Sequence, residues 1–341
     1  MQKLKTVWNA PAQRRQTGFT LIETMASLVI LLAATGFVMS GMVQLMRTQG
    51  TIVNRTEMHS SVRSATELMQ QEIGQAGMVS LPADPVTGLT IPVFMVTPVI
   101  IVVPDVPVTQ PVVLSSVAGI FNGENLVVDT GDNQETITVV CGNPCSNPVT
   151  ATFNYAHPAV LGTPVPVTVK GAFATGIVAP TDPNGSTGTL LKLYGDINGD
   201  GNMVYVEYTC DPDGNLGFGP ALLRNEMPYD TAVKAAFPLD PSKGLLSNLQ
   251  PNPNDLAGNA VPCFTYEVHS VPPYTFVTDV AVTLTEQTQN PDPQTNQFQT
   301  ETKALLNVSP RNVFNAWELA NAKLTDRVQP MPPTITSLIG Q

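Results

Sequence analysis

The sequence predicts an α+β protein in which a long N-terminal helix, transmembrane and then amphipathic, packs on an antiparallel β-sheet head with a β- and loop-rich insertion. Three observations support this fold class. The run from Thr24 to Met46 has no ionisable residue. Apolar residues then recur at three- and four-residue steps as far as Ala76. After residue 80 the chain changes to short alternating segments separated by turns rich in Pro, Asn, Asp and Gly.

The first segment, residues 1–18, has the character of a leader that stays on the cytoplasmic side of a membrane. It has no acidic residue and four basic ones, Lys3, Lys5, Arg14 and Arg15. The apolar run after it is long enough to cross a bilayer core of about 30 Å as a helix. A secretory signal has its cleavage site after the apolar segment, whereas the only junction here that resembles one, Gly18–Phe19, precedes it. Cleavage there removes the leader and keeps the helix.

Glu23 is the one carboxylate near the start of the membrane-length run. A carboxylate in lipid costs several kcal/mol unless it has a partner. Cleavage before Phe19 would create a cationic amine close by, and pairing within one helix is geometrically poor. We therefore expect Glu23 to form a salt bridge with another molecule. The alternative is a one-pass anchor with an incidental Glu.

The residues around this junction resemble the cleavage and methylation motif of type IV prepilins and type II secretion pseudopilins: Arg14-Arg15-Gln16-Thr17-Gly18-Phe19-Thr20-Leu21-Ile22-Glu23. The resemblance implies that a prepilin peptidase/methyltransferase cuts after Gly18 and methylates Phe19. It also implies that Glu23 pairs with the N-terminal amine of a neighbouring subunit. The partners implied are other major and minor pilins, the inner-membrane assembly platform and the membrane.

The predicted helix has two parts, a transmembrane and assembly segment at 19–46 and an amphipathic continuation at 47–78. The apolar stripe of the second part consists of Met58, Val62, Ala65, Met69, Ile73 and Ala76. We expect the helix to end near Gly74 and Gly77 and its stripe to pack on a sheet. The proline that many major pilins place in the first part is absent, so the resemblance does not predict the usual kink.

The rest of the chain is predicted to be β-structure and loops: a Pro/Val-rich region at 79–185, a β-sheet region at 186–315 and a C-terminal tail at 316–341. Asp240 to Ala260 is predicted to be a long surface loop. The order of strands over roughly 185–315 resembles that of W-type minor pilins. The predicted strands are 125–128, 135–140, 149–155, 165–169, 189–194, 203–209, 263–269, 274–286 and 298–308.

The four cysteines are expected to form two disulfides, because export places them where disulfides persist. Cys141 and Cys145 close a short loop that contains Gly and Pro, which leaves Cys210 and Cys263 as the other pair. Three connectivities remain formally open. Zinc is the competing interpretation, but the three histidines, His59, His157 and His269, do not lie at ligand spacing from a cysteine.

A single segment resembles a metal loop. Asp196, Asn198 and Asp200 alternate before Gly201, and Glu207 falls where an EF-hand loop has its last ligand. The segment from Met203 alternates as a strand, which would carry Glu207 away from the loop. Two interpretations stay open: a calcium-binding turn that uses Asp196, Asn198 and Asp200, and an Asp-Gly hairpin turn without metal.

Charge and motifs limit the function classes. The formal charge of −11 becomes −15 once the four basic leader residues are removed, which makes nucleic acid an unsuitable partner. The sequence has no phosphate-binding loop, no His-Glu-x-x-His zinc motif and no serine elbow, so we expect no enzymatic activity and no required cofactor other than the Ca²⁺ considered above.

The resemblance, together with these observations, implies a minor pilin of a type IV pilus that takes part in pilus assembly or initiation. We expect it in the inner membrane as a single-pass protein with a cytoplasmic N terminus and a periplasmic head, and then in the pilus at the cell surface. The alternatives are a J-type minor pseudopilin of type II secretion and an adhesin-like tip subunit on a pilin stem.

Overall fold

The computed structural model describes residues 18–82, 91–101, 106–159, 164–217, 219–234 and 244–341. It begins with one uninterrupted helix, α1, at Leu21–Gln75. Gly77 follows with a φ of +82°, a backbone conformation that glycine adopts readily. The predicted long helix is confirmed. Of the predicted leader, 1–18, residues 1–17 lie outside the described residues.

The chain divides into two compact units. One consists of Met1–Val53 together with Asp292–Gln297, and the other consists of Asn54–Pro291 and Phe298–Gln341. Helix α1 contributes its first half to the first unit and its second half to the other.

Sixteen strands and two further α-helices follow α1 in the described residues. The helices are α2, Arg311–Asn321, and α3, Pro333–Ile339. The strands are β1 Val93–Met95, β2 Val108–Val112, β3 Asn125–Val128, β4 Glu135–Thr138, β5 Val149–Phe153, β6 Val165–Val169, β7 Ala172–Phe173, β8 Leu190–Gly195, β9 Val204–Asp211, β10 Ala221–Pro228, β11 Gly244–Ser247, β12 Leu249–Gln250, β13 Phe264–Val271, β14 Tyr274–Gln287, β15 Thr300–Val308 and β16 Val328–Gln329.

The larger sheets are antiparallel. One has the order β1-β6-β3-β4 and a second has the order β11-β10-β9-β8. In a third, the long strand β14 pairs with β12, β13 and β15. Two smaller pairs complete the set, β2 with β5 in antiparallel and β7 with β16 in parallel orientation. This is the α+β, pilin-like architecture that the sequence predicted.

Several strand positions agree with the sequence analysis. Strands β3 and β6 have the predicted bounds, and β14 exceeds its predicted range by one residue. The prediction of a long surface loop at 240–260 is wrong in part, because β11 and β12 lie within it. Strand β10 and helices α2 and α3 were not predicted. The segment 316–341, which was predicted to be a C-terminal tail, includes most of α2 and all of α3.

The second half of α1 forms one side of the largest core. All six residues of the predicted stripe are buried: Met58, Val62, Ala65, Met69, Ile73 and Ala76. Five of them, from Val62 onward, share a core with residues of β8, β9 and β14 such as Leu193, Val206 and Val280. Full burial of an aliphatic side chain contributes about 1.5 to 3 kcal/mol, so this stripe fixes the helix on the sheets.

The region between α1 and β8 has a core of its own. Its members come from β1 to β6 and their connections, and include Met95, Leu126, Ile137 and Phe153. A third cluster lies where α3 packs, with Ile335 and Leu338 beside Tyr205 and other residues. The C-terminal residues are therefore integrated into the head.

Two disulfides are present. Cys141 is bonded to Cys145, with Cα atoms 5.2 Å apart, and Cys210 is bonded to Cys263, with Cα atoms 6.5 Å apart. The second bond joins the end of β9 to the residue before β13.

His157 is fully buried between two carboxylates. Its Nδ1 lies 2.9 Å from Asp129 Oδ2, and its Nε2 lies 2.7 Å from Glu135 Oε1. The same Glu135 carboxylate accepts hydrogen bonds from the backbone N–H groups of Asn154 and Tyr155. Both ring nitrogens thus have a partner, and this histidine joins the β3–β4 turn to the chain after β5.

Glu124 is a buried carboxyl group that accepts a single hydrogen bond among the described residues. It is 0% exposed, its Oε2 accepts the N–H of Phe121 at 3.2 Å, and its Oε1 has no partner among the described residues. Burial raises the pKa of Glu124 from 4.5 to about 8. Because the folded protein holds this proton more tightly than the unfolded chain, the contribution of Glu124 to stability falls as the pH rises from about 5 to 8.

We predict that Glu124→Gln removes this part of the pH dependence. The free energy of unfolding of a soluble fragment that starts at Arg55 should be nearly unchanged at pH 5 and higher than the parent's at pH 8, with a difference of about 1.4 kcal/mol per pH unit titrated. Urea unfolding at both pH values measures it. The exposed Glu318→Gln change is the control, and equal pH slopes for parent and Glu124→Gln would contradict the assignment.

Candidate processing and assembly site

The predicted cleavage junction lies just before the first helical turn. Gly18 and Phe19 are exposed, Phe19 with 85% of its surface, and α1 begins at Leu21. The Gly18–Phe19 peptide is therefore outside the helix, where its carbonyl is not committed to helical hydrogen bonding. An exposed, non-helical peptide is the form that a protease can bind in extended conformation.

Thr20 and Glu23 cap the start of α1. The backbone N–H and the hydroxyl of Thr20 both donate to Glu23 Oε2, each at 3.0 Å. In return the Thr20 carbonyl accepts the N–H groups of Glu23 and Thr24. The sequence Thr-x-x-Glu is a capping-box pattern. Thr20 is a residue that sequence reasoning missed, although its spacing to Glu23 could have identified it.

This geometry bears on what Glu23 can bind. The Thr20 N–H belongs to the peptide bond with Phe19, so cleavage before Phe19 leaves both Thr20 donors in place. Both of these bonds use Oε2, and within the described residues Oε1 accepts no hydrogen bond. The second oxygen of this exposed carboxylate is open to a donor from outside the helix. The structure thus brings Gly18, Phe19 and Glu23 together at one helix end.

The first half of α1 is covered with exposed apolar side chains. These include Leu21, Ile22, Leu28, Ile30, Leu31, Phe37, Val38 and Leu45, each more than half exposed. By length and composition the helix can cross a membrane. An apolar surface of this size requires lipid or other apolar helices around it.

The second half of α1 has a buried carboxylate, Glu72, whose partners come from the sheet. Arg224 holds it in bidentate fashion, with Nη2–Oε1 at 2.5 Å and Nε–Oε2 at 3.1 Å. The Tyr208 hydroxyl also donates to Glu72 Oε2. Sequence reasoning missed this cluster, because 152 residues separate Glu72 from Arg224 and no local pattern relates them.

The residues of the predicted metal loop form a hydrogen-bonded turn. Asp196 is buried and its two oxygens accept the backbone N–H groups of Asp200 and Gly201, at 3.1 and 2.9 Å. Asp200 accepts the N–H of Asn202, and Asn198 is exposed. Gly199 and Gly201 have positive φ, as tight turns require.

Glu207 lies apart from this turn. It is 1% exposed on β9 and accepts hydrogen bonds from the Tyr205 hydroxyl and the Lys234 ammonium, both at 2.6 Å. In the part of the chain that the structure describes, no group of three or more His, Cys, Asp or Glu side chains is placed to hold a metal ion. Calcium binding by Asp196, Asn198 and Asp200 stays a prediction, which calorimetry with Ca²⁺ on the Arg55 fragment tests.

Comparison with known proteins gives one match. A family model described as the prokaryotic N-terminal methylation motif matches residues 13–39. No curated protein matches the chain, and no solved structure matches it. The match covers the junction, Glu23 and most of the apolar run. It supports a type IV pilin-like protein that is anchored in a membrane, processed by a prepilin peptidase and assembled with other pilins. It also marks a structural subunit, which agrees with the expectation of a non-enzyme.

We predict that Glu72→Ala weakens the attachment of the second half of α1 to the sheet. Truncation removes the bidentate partner of the partly buried Arg224 guanidinium, which keeps only the Glu226 carboxylate 2.6 Å from its Nη1, and this loss costs about 3 kcal/mol. Urea unfolding of the Arg55 fragment measures the loss. Tyr208→Phe removes one hydrogen bond from the same cluster and should cost only about 1 kcal/mol. Similar small losses in both variants would show that the ion pair does not secure the helix.

Proposed function

We propose that this protein is a W-type minor pilin of a type IV pilus, which takes part in pilus assembly or initiation after its leader is removed. In this proposal a prepilin peptidase cleaves between Gly18 and Phe19, and Phe19 is N-methylated. The helix then stays in the inner membrane, with its N terminus on the cytoplasmic side and the head in the periplasm, until the subunit joins the pilus.

The proposal rests on the position of Glu23 and on the few hydrogen-bond donors around it. Its carboxylate stands at the start of an exposed, membrane-length apolar helix, and its only donors among the described residues come from Thr20. A carboxylate in that environment needs a cation. The new amine of Phe19 on a neighbouring subunit is such a cation and is produced by the cleavage itself. Pairing of Glu23 with this amine thus favours assemblies in which the N-terminal ends of two α1 helices lie side by side.

The size of the head favours a minor subunit over the major one. The region between α1 and β8 adds a separate core to the head, including residues such as Leu126 and Phe153. In a filament of closely repeated subunits each head has to share space with its neighbours. A subunit with such an addition suits a tip or priming complex, where few copies are present.

An adhesin-like tip subunit is the second candidate. The added region displays apolar side chains to solvent, with Val96, Ile100 and Val140 at least half exposed and Tyr155 47% exposed. Replacing residues 81–169 by a short linker separates the candidates. Normal piliation with lost attachment favours the adhesin, and lost piliation favours assembly. Lost secretion in a strain that has type II secretion favours the J-type pseudopilin.

We predict that Glu23→Gln and Glu23→Ala give subunits that are cleaved and membrane-inserted but enter fibres poorly. The reason is that both changes remove the partner of the neighbouring amine while leaving the junction and the apolar helix unchanged. Mass spectrometry of the membrane-bound protein measures cleavage and methylation at Phe19, and immunoblotting of sheared fibres measures incorporation. Glu57→Gln, an exposed change on the same helix, is the control.

Two results would contradict this proposal. Incorporation of the Glu23 variants at the level of Glu57→Gln would remove the assigned role of the carboxylate. An intact N terminus on the exported protein, or cleavage after Met46, would remove the pilin assignment itself.

A further inference from the structure

Arg47 is the first charged residue after the apolar run of α1. Its side chain is exposed and makes no ion pair among the described residues. Thr24 to Met46 extends for about 35 Å at roughly 1.5 Å per helical residue, which matches a hydrocarbon core of about 30 Å. A helix that spans the bilayer therefore places Arg47 at the depth of the lipid phosphates.

A loop between β14 and β15 lies on the helix at this level, within the same compact unit. The Thr51 hydroxyl donates to Asp292 Oδ1 at 2.6 Å, and the Gln294 side-chain amide donates to the Thr48 hydroxyl at 3.1 Å. The segment Asp292–Gln297 is thus held two to five residues beyond Met46, which is about 3 to 8 Å farther along the helix. At that distance it falls within the headgroup layer, which is about 5 to 8 Å thick on each side of the bilayer.

Gly50 permits this close approach. A Cβ atom at Gly50 would lie 2.9 Å from Cγ of Pro293, nearer than side-chain carbons normally come. The loop therefore rests on the bare backbone of α1, and the position of its tip along the helix is fixed by that contact as well as by the hydrogen bonds.

The helix and the loop border an open cleft of about 560 Å³, lined by Met39, Ser40, Val43, Gln44, Arg47 and Gln294. Its lining changes character along the helix. Met39, Ser40, Val43 and Gln44 belong to the uncharged run, Arg47 follows it directly, and the Gln294 amide is bonded to Thr48 beyond it. An apolar wall that leads to a cation and amide donors fits a phospholipid, whose acyl chain leads to a phosphate.

We propose that this cleft binds a phospholipid, with Arg47, Gln44 and Gln294 around the phosphate and the acyl chain along Met39 and Val43. The loop then rests in the headgroup layer and sets how deeply α1 is inserted before assembly. The proposal depends on membrane anchoring of α1 and goes beyond the proposed function, because it names a lipid and a site for it on the head-proximal end of the span.

Spin labels on the full mature chain in vesicles of phosphatidylcholine and phosphatidylglycerol test the position of the loop. The described cysteines are all in disulfides, so one introduced cysteine is labelled selectively. A label at Thr295→Cys should show accessibility to oxygen and to a water-soluble nickel complex typical of the headgroup layer. Labels at Val38→Cys and Asn215→Cys supply the lipid and water references.

Three variants on the Thr295→Cys background test the site itself. Arg47→Gln should raise nickel accessibility toward the Asn215 value, and Gly50→Leu should do the same without a change of charge by pushing Pro293 off the helix. Arg63→Gln, which makes the same charge change at an exposed position farther along α1, should leave the label where it was.

Four results would each contradict a different part of the proposals. A water-exposed Val38 label would overturn membrane anchoring, and with it both proposals. A lipid-exposed Val38 label with a water-exposed Thr295 label would overturn the lipid site alone. Equal effects of Arg47→Gln and Arg63→Gln would overturn the role of Arg47. Spin–spin broadening at Thr295 would show that a second copy, and not lipid, covers the cleft.

Discussion

The structure depends on one long helix, α1, whose two halves are suited to different environments. Residues of α1 up to Met46 expose apolar side chains on all sides, whereas from Met58 onward the apolar side chains form a single stripe that the sheets bury. A helix hydrophobic all round is stable only in lipid or among other apolar helices, and a striped one is stable on a protein core. The head can therefore fold on the second half alone, while the first half depends on what the membrane or other subunits supply.

Two carboxylates on this helix illustrate the division. Glu72 is buried and fully paired inside the chain, by Arg224 and Tyr208, so its role is to hold the stem on the head. Among the described residues Glu23 has only the cap formed with Thr20, and the proposed function gives it a cation from a neighbouring subunit. The two carboxylates therefore differ in their pairing: Glu72 is paired within the head, whereas Glu23 keeps one oxygen open to a donor from outside the helix.

Much of the fold could be predicted from local periodicity. The stripe from Met58 to Ala76 and strands β3 and β6 were predicted because each repeat is long or clean enough to identify. Helix α3 could not be predicted, since seven residues starting at Pro333 are too few to show a helical period. Helix α2 has buried residues at Val313, Ala316 and Ala320, a spacing that was present in the sequence, but it is short and its start lacks a side-chain cap.

At the site, Gly18, Phe19 and Glu23 follow from a compact motif, and Thr20 could have been recognised from its spacing to Glu23. Contacts such as Glu72–Arg224 and Thr51–Asp292 join distant parts of the chain, and they depend on tertiary packing that no local pattern contains.

The burial of α3 has a practical consequence for anyone who wishes to follow this subunit in cells. Ile335 and Leu338 lie in the core, the Ile339 carbonyl accepts the Lys192 ammonium, and the side chain of Gln341 is bonded to the backbone of Ala232 and Lys234. A reporter protein fused after Gln341 would disturb these contacts at the end of α3. The segment 253–260 is exposed along its whole length, so an epitope inserted there would leave both the processed end and the anchored end of the polypeptide as they are.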